Sequence, residues 1–177
     1  MDLSKLGRGE RMSAFAAIAL FFIMILFPWF GVDMPAEARA FAQLAGGDLS
    51  FNAFEAFEVI DLILFVTVVV AVGLAFATAT GRTIKLPVAT SALTAGLGIL
   101  CTFLVLYRIL DPPGPGGGMG IARKIGIFLG LIAAAAVAYG GWISMKSEGV
   151  SFGAEADKLQ DRYAPHAEGG GETPPAE

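Results

Sequence analysis

Val59–Ala79 reads VIDLILFVTVVVAVGLAFATA, an apolar run whose one ionisable group, Asp61, lies near its start. Val66, Val68, Val69, Val70 and Val72 would favour a strand in water. In hydrocarbon a lone strand leaves its backbone donors and acceptors unpaired, whereas a helix pairs its own, so the run reads as a helix. A bilayer core of roughly 30 Å takes about 20 helical residues to cross. Three more runs of this kind flank it, Ser13–Val32, Leu86–Leu106 and Ile125–Met145. The expectation is an all-α fold: an integral membrane four-helix bundle over residues 1–145, with a short helix in its first outer loop and a mostly disordered C-terminal tail over 146–177.

Composition agrees. The chain has 177 residues, of which 55% are hydrophobic and 16% charged, too apolar for an ordinary soluble domain. Four spans leave two short connections, one longer loop and a tail, with no room for a soluble catalytic domain. A net charge of −4 argues against a nucleic-acid partner. The single cysteine, Cys101, lies inside the third run and reads as a small buried hydrophobe. The first run also resembles a secretory signal, with Lys5, Arg8 and Arg11 before it and Ala38-Arg39-Ala40 after it. It is longer than a usual signal core and the triplet lies well beyond it, so an uncleaved span is expected.

Positive charge sets orientation in the cell membrane. With both termini cytoplasmic, the inner segments carry Lys5, Arg8, Arg11, Arg82, Lys85, Lys146, Lys158 and Arg162, against Arg39, Arg108, Arg123 and Lys124 outside. The first outer loop, Asp33 to Glu58, holds one Arg and five carboxylates, which fits an outer location.

Local signals place the breaks. Pro35–Leu44 reads as a short helix closed by Gly46-Gly47, and Asp48 to Phe51 as a turn. Asn52 and Glu55 have the spacing of a capping box, and Phe51, Phe54 and Phe57 share a side. Pro87 opens the third helix. Asp111-Pro112-Pro113-Gly114-Pro115-Gly116-Gly117-Gly118 is a flexible turn. Phe152 to Tyr163 reads as a brief surface helix, and the chain beyond Pro165 as disorder. His166 has no second ligand near it and is discarded as a metal site.

Three groups of residues stand out within the spans. Glu58 and Asp61 are three apart at the outer start of the second helix, and Arg108 ends the third. Counting from a hairpin centred near Thr83, all three fall at similar depth, so a structural ion pair between Arg108 and Asp61 or Glu58 is expected. The same trio reads alternatively as a proton or cation site at an outer mouth. Gly126, Gly130, Ala134 and Ala138 recur every four residues in the fourth run, facing a set containing Ala92 and Gly96, with Thr94 and Gly98, in the third. Helices three and four are expected to meet there or to serve an oligomer contact. Trp29, Trp142 and Tyr107 read as anchors at the membrane–water interface. Thr67, Ser91, Thr94 and Thr102 are the polar residues deeper in the spans.

The segments FNAFEAFEVIDLIL (51–64), LPVATSALTAGLG (86–98), LVLYRILDPPG (104–114) and GIFLGLIAAAAVAYGGWISMKSEG (126–149), with Pro28-Trp29-Phe30 before them, form a pattern over Phe27 to Ser151. It resembles a group of uncharacterised small four-span membrane proteins of actinobacteria, some with Trp where this chain has Phe54. The resemblance implies topology and carries no activity. No catalytic pair, cofactor motif or metal cluster is present in the sequence, so no enzyme is expected. The leading expectation is a non-catalytic integral membrane protein, partnered by the lipid bilayer and by its own copies or a larger membrane complex. The alternative is a small oligomeric transporter or channel with Glu58, Asp61 and Arg108 at its mouth. A water-accessible cavity at the bundle centre would favour the second; a filled core favours the first.

Overall fold

The computed structural model describes residues 6–33, 35–44, 50–56, 59–81, 88–112 and 120–163. Glu58, Phe57, Gly46-Gly47, Asp48, Arg82, Lys85, Pro87, the 113–118 turn and the tail with His166 lie outside them.

The described chain is mostly helical, and four of its helices are long and apolar enough to cross a membrane: α1 (Arg8–Leu26), α4 (Ile60–Ala79), α5 (Thr90–Leu110) and α6 (Ile125–Glu148). Shorter helices are α2 (Ala36–Leu44), α3 (Ala53–Ala56) and α7 (Phe152–Tyr163). The long helices form a ring in which α6 packs most extensively on α5 and α1, while α4 closes the ring against both neighbours.

Helix limits follow local chemistry. Helix α1 begins earlier than its apolar run, because Glu10 bonds back to the Gly7 amide at 2.9 Å and satisfies a free donor ahead of the first turn. It stops at Leu26 rather than at Val32, since Phe27 precedes Pro28 and is driven to an extended conformation, φ −106° and ψ 136°. Asn52 and Glu55 form the reciprocal box, with bonds of 2.9 and 3.1 Å, ahead of α3. Helix α5 starts at Thr90, later than its apolar run, and continues to Leu110. Gly149, at φ +69°, ends α6 in the left-handed conformation and turns the chain into α7.

The purely α expectation is corrected by a small antiparallel sheet. Strands β1 (Phe30–Val32), β2 (Ser50–Phe51) and β3 (Ile121–Arg123) lie in the order β2-β1-β3, with Phe30 opposite both Phe51 and Arg123. This sheet caps one end of the bundle; α7 lies at the other. Two or three residues are too few for strand periodicity to register in a sequence, and the pairing joins segments far apart in the chain.

The core of the described residues runs through the ring. Leu20, Met24, Leu64, Cys101, Val105 and Ile127 are all fully buried. Toward the α7 end it narrows to a small cluster of Ala17, Ala71 and Val137.

Candidate functional site

Trp29 organises the sheet end. It was expected at the lipid headgroups, but it is fully buried, so that expectation is corrected. Its indole N–H donates to Ile23 O at 3.1 Å, a carbonyl in the last turn of α1 that also accepts the Phe27 amide at 3.3 Å. A Cβ on Gly130 would come within 2.6 Å of its ring, and one on Gly126 within 2.7 Å. These two glycines of the α6 stripe therefore face Trp29 and not α5. The α5–α6 seam runs instead through Gly98 against Ala138 and Ala95 against Gly141. Ala134 is buried in the main core, Ala92 clusters with Ala95 and Met145, and Gly96 faces the Phe152 ring on α7. Trp142 and Tyr107 are both exposed, at 43% and 53%. Lys146 Nζ lies 4.1 Å from the Trp142 ring, and the Tyr107 hydroxyl donates to Asp111 at 2.8 Å.

Asp61 and Arg108 also belong to the sheet end. The Thr67 hydroxyl meets Cys101 Sγ at 3.0 Å, which fixes the register of α4 against α5. From that contact Asp61 is six residues back along α4 and Arg108 seven on along α5, or about 9 and 10.5 Å of rise. The two side chains thus share a depth. Asp61 is buried and its Oδ1 has no hydrogen-bond partner among the described residues; Arg108 is half-buried.

The richest concentration of chemistry lies at the opposite end, where no single sequence segment announces it. Glu10 and Ser13 of α1, Ser91 and Thr94 of α5 and Ser144 of α6 converge on a cavity of about 20 Å³, floored by Ala71 of α4. That is room for about one water. Four of these residues are more than nine-tenths buried: Ser13, Ser91, Thr94 and Ser144. Close approach of α1 to α6 makes the convergence possible, since a Cβ on Gly140 would come within 2.5 Å of Ser13 Oγ. Side chains bridge the helices around it. Ser91 donates to Glu148 at 2.6 Å, Ser13 to Val137 O at 3.3 Å, and Thr78 to Glu10 at 3.3 Å.

Helix α7 is latched beside this cavity. Ala89, the residue ahead of α5, has no side chain able to cap that helix. Glu155 does so from α7, accepting the Ala89 amide at 2.8 Å and Lys158 Nζ at 2.6 Å. Lys158 and the Ala89 amide hold the Glu155 carboxyl below the usual carboxylate range. Among the described residues no group of three His, Cys, Asp or Glu side chains is placed to hold a metal ion.

Comparison with known proteins finds no match for this chain among family models, curated proteins or solved structures.

Proposed function

We propose that this chain is a four-span integral protein of the plasma membrane, with both termini cytoplasmic, that is non-catalytic and acts by lateral packing. Its partners on this reading are the bilayer and either its own copies or the other members of a membrane assembly. The filled core carries the proposal. Fully buried Leu20, Met24, Leu64 and Val105 occupy the middle of the ring, where a transporter or channel would need a polar path. The exposed faces of α1 and α4 are aromatic and aliphatic, with Phe15, Phe22, Phe65 and Phe76 turned outward, as lipid or a neighbouring helix requires.

At the sheet end, the shared depth of Asp61 and Arg108 supports a clamp that holds the register of α4 and α5. Burial of Asp61 makes a neighbouring positive charge worth more than it would be in water.

Extraction from native membrane in a mild detergent, followed by mass determination of the intact particle, tests the packing role. A homo-oligomer or a stoichiometric companion is the expected result. A monomer that drives ion or solute flux when reconstituted in liposomes would overturn it.

A further inference from the structure

We propose that the polar cavity between α1, α5 and α6 is a binding site for one small monovalent cation of sodium size. The argument rests on where the hydroxyl protons go. A serine or threonine hydroxyl carries one proton and two lone pairs. Ser13 gives its proton to Val137 O, Ser91 to Glu148 and Thr94 to Thr90 O. Each therefore turns only lone pairs toward the cavity. Glu10 adds a carboxylate whose Oε1 receives a single long contact, from Thr78 at 3.3 Å. Three of the five hydroxyls in the lining, together with Glu10, thus act as acceptors toward it, and no Lys or Arg is among the residues that form it. An anion is repelled by such a surface, and a neutral water has only two protons to offer it. A cation satisfies several oxygens at once, and hard oxygen ligands suit a hard ion.

Charge and size narrow the choice. Glu10 supplies one negative charge in the lining, and Glu148 stands behind Ser91 as a second that strengthens its oxygen as a ligand. Arg8 and Arg11 on α1 are exposed, and the Arg11 Nε–H is turned back onto Leu6 O. Lys146 is exposed and lies over Trp142. A volume of about 20 Å³ admits a dehydrated sodium ion and not a hydrated one. Ala71 of the lining packs with Ala17 and Val137 in an apolar cluster, and a bound ion ties three helices together. The site needs no transport pathway, and it stands or falls independently of the packing role.

The test uses the full chain in detergent micelles. Its thermal unfolding midpoint is followed as sodium chloride replaces choline chloride at constant ionic strength. A saturable rise with sodium is expected, because a ligand that binds only the folded state stabilises it. Potassium has about the radius of a water and fits the same space, but its lower charge density binds hard oxygens less strongly, so it should give a smaller rise. Glu10→Gln should weaken sodium binding by about tenfold or more, and Ser91→Ala combined with Thr94→Val should abolish the response. Line broadening of the sodium-23 resonance by the unmodified protein gives a readout that needs no variant. A midpoint that does not change when sodium replaces choline, or a Glu10→Gln variant with unchanged sodium dependence, would overturn the proposal and leave a water-filled cavity; an equal response to potassium would overturn the assignment to an ion of sodium size.

Discussion

Replacing Gly98 by Ala inserts one methyl group into the seam where α5 meets α6. Its Cβ would lie 2.5 Å from Ala138 N, 2.7 Å from Ala138 Cα and 3.0 Å from Val137 C. Carbon atoms pack comfortably at about 3.5–4.0 Å, so the helices must separate by nearly 1 Å. All three obstructing atoms belong to backbone, and no rotamer change relieves the clash. Overpacking of a tight core costs about 1–3 kcal/mol, and a purely backbone obstruction belongs in the upper half of that range. Alanine's better helix propensity returns about 1 kcal/mol. The net loss is about 1–2 kcal/mol, a factor of about 5–30 in the folded-to-unfolded ratio. Gly73→Ala in α4 is the matched control, because nothing lies within 4 Å of its added methyl and only the propensity gain remains. Reversible unfolding by SDS in mixed micelles measures both. Gly141→Ala probes the same seam, its Cβ falling 2.5 Å from Ala95 N. Once one methyl has parted the helices, the second should cost less than it does alone. A Gly98→Ala protein as stable as Gly73→Ala would refute this account of the α5–α6 contact.

Other substitutions probe the two ends of the bundle. Trp29→Phe should cost about 1 kcal/mol through loss of the bond to Ile23 O, and Trp29→Ala about 3–5 kcal/mol through the cavity left behind; an unchanged unfolding curve for the Ala variant would place the indole outside the core. Arg108→Leu should lower stability in detergent if the clamp with Asp61 or Glu58 forms, and equal stability counts against the clamp. The carboxyl of Glu155 has its pKa lowered on docking, so its contribution is complete above the ordinary carboxylate value of about 4.3 and disappears as pH falls through the lower docked value. Hydrogen exchange over 152–163, corrected for intrinsic rates, should therefore be slow at neutral pH and fast in acid. Glu155→Gln should show the fast behaviour already at neutral pH, and identical exchange in the two proteins would rule out the latch.

Legibility in the sequence followed the range of the signal. The Asn52–Glu55 box spans three residues and α7 has a complete amphipathic pattern, so both could be read directly. Small residues in the third and fourth runs were visible as stripes, but the partner of each was not. Gly126 and Gly130 repeat in step with Ala134 and Ala138, yet the first pair lies under Trp29 and only Ala138 meets Gly98. A tryptophan following a span ordinarily sits at the interface; burial of Trp29 depended on β1 and on glycines about a hundred residues away.

Hydropathy, proline and glycine, all properties of local sequence, were enough to establish four long apolar helices and the limits of α4, whereas both ends of α1 and α5 fell several residues from the expected ones. They act within a few turns, where backbone pairing and the solvent preference of side chains dominate. The polar cavity is a different matter. Glu10, Ser13, Ser91, Thr94 and Ser144 are scattered over α1, α5 and α6, and each in its own segment is an unremarkable polar residue. Only close helix packing, permitted by glycines such as Gly140, brings their oxygens to one point. Non-local contacts of that kind depend on the relative rotation and register of whole helices, which no single stretch of chain encodes.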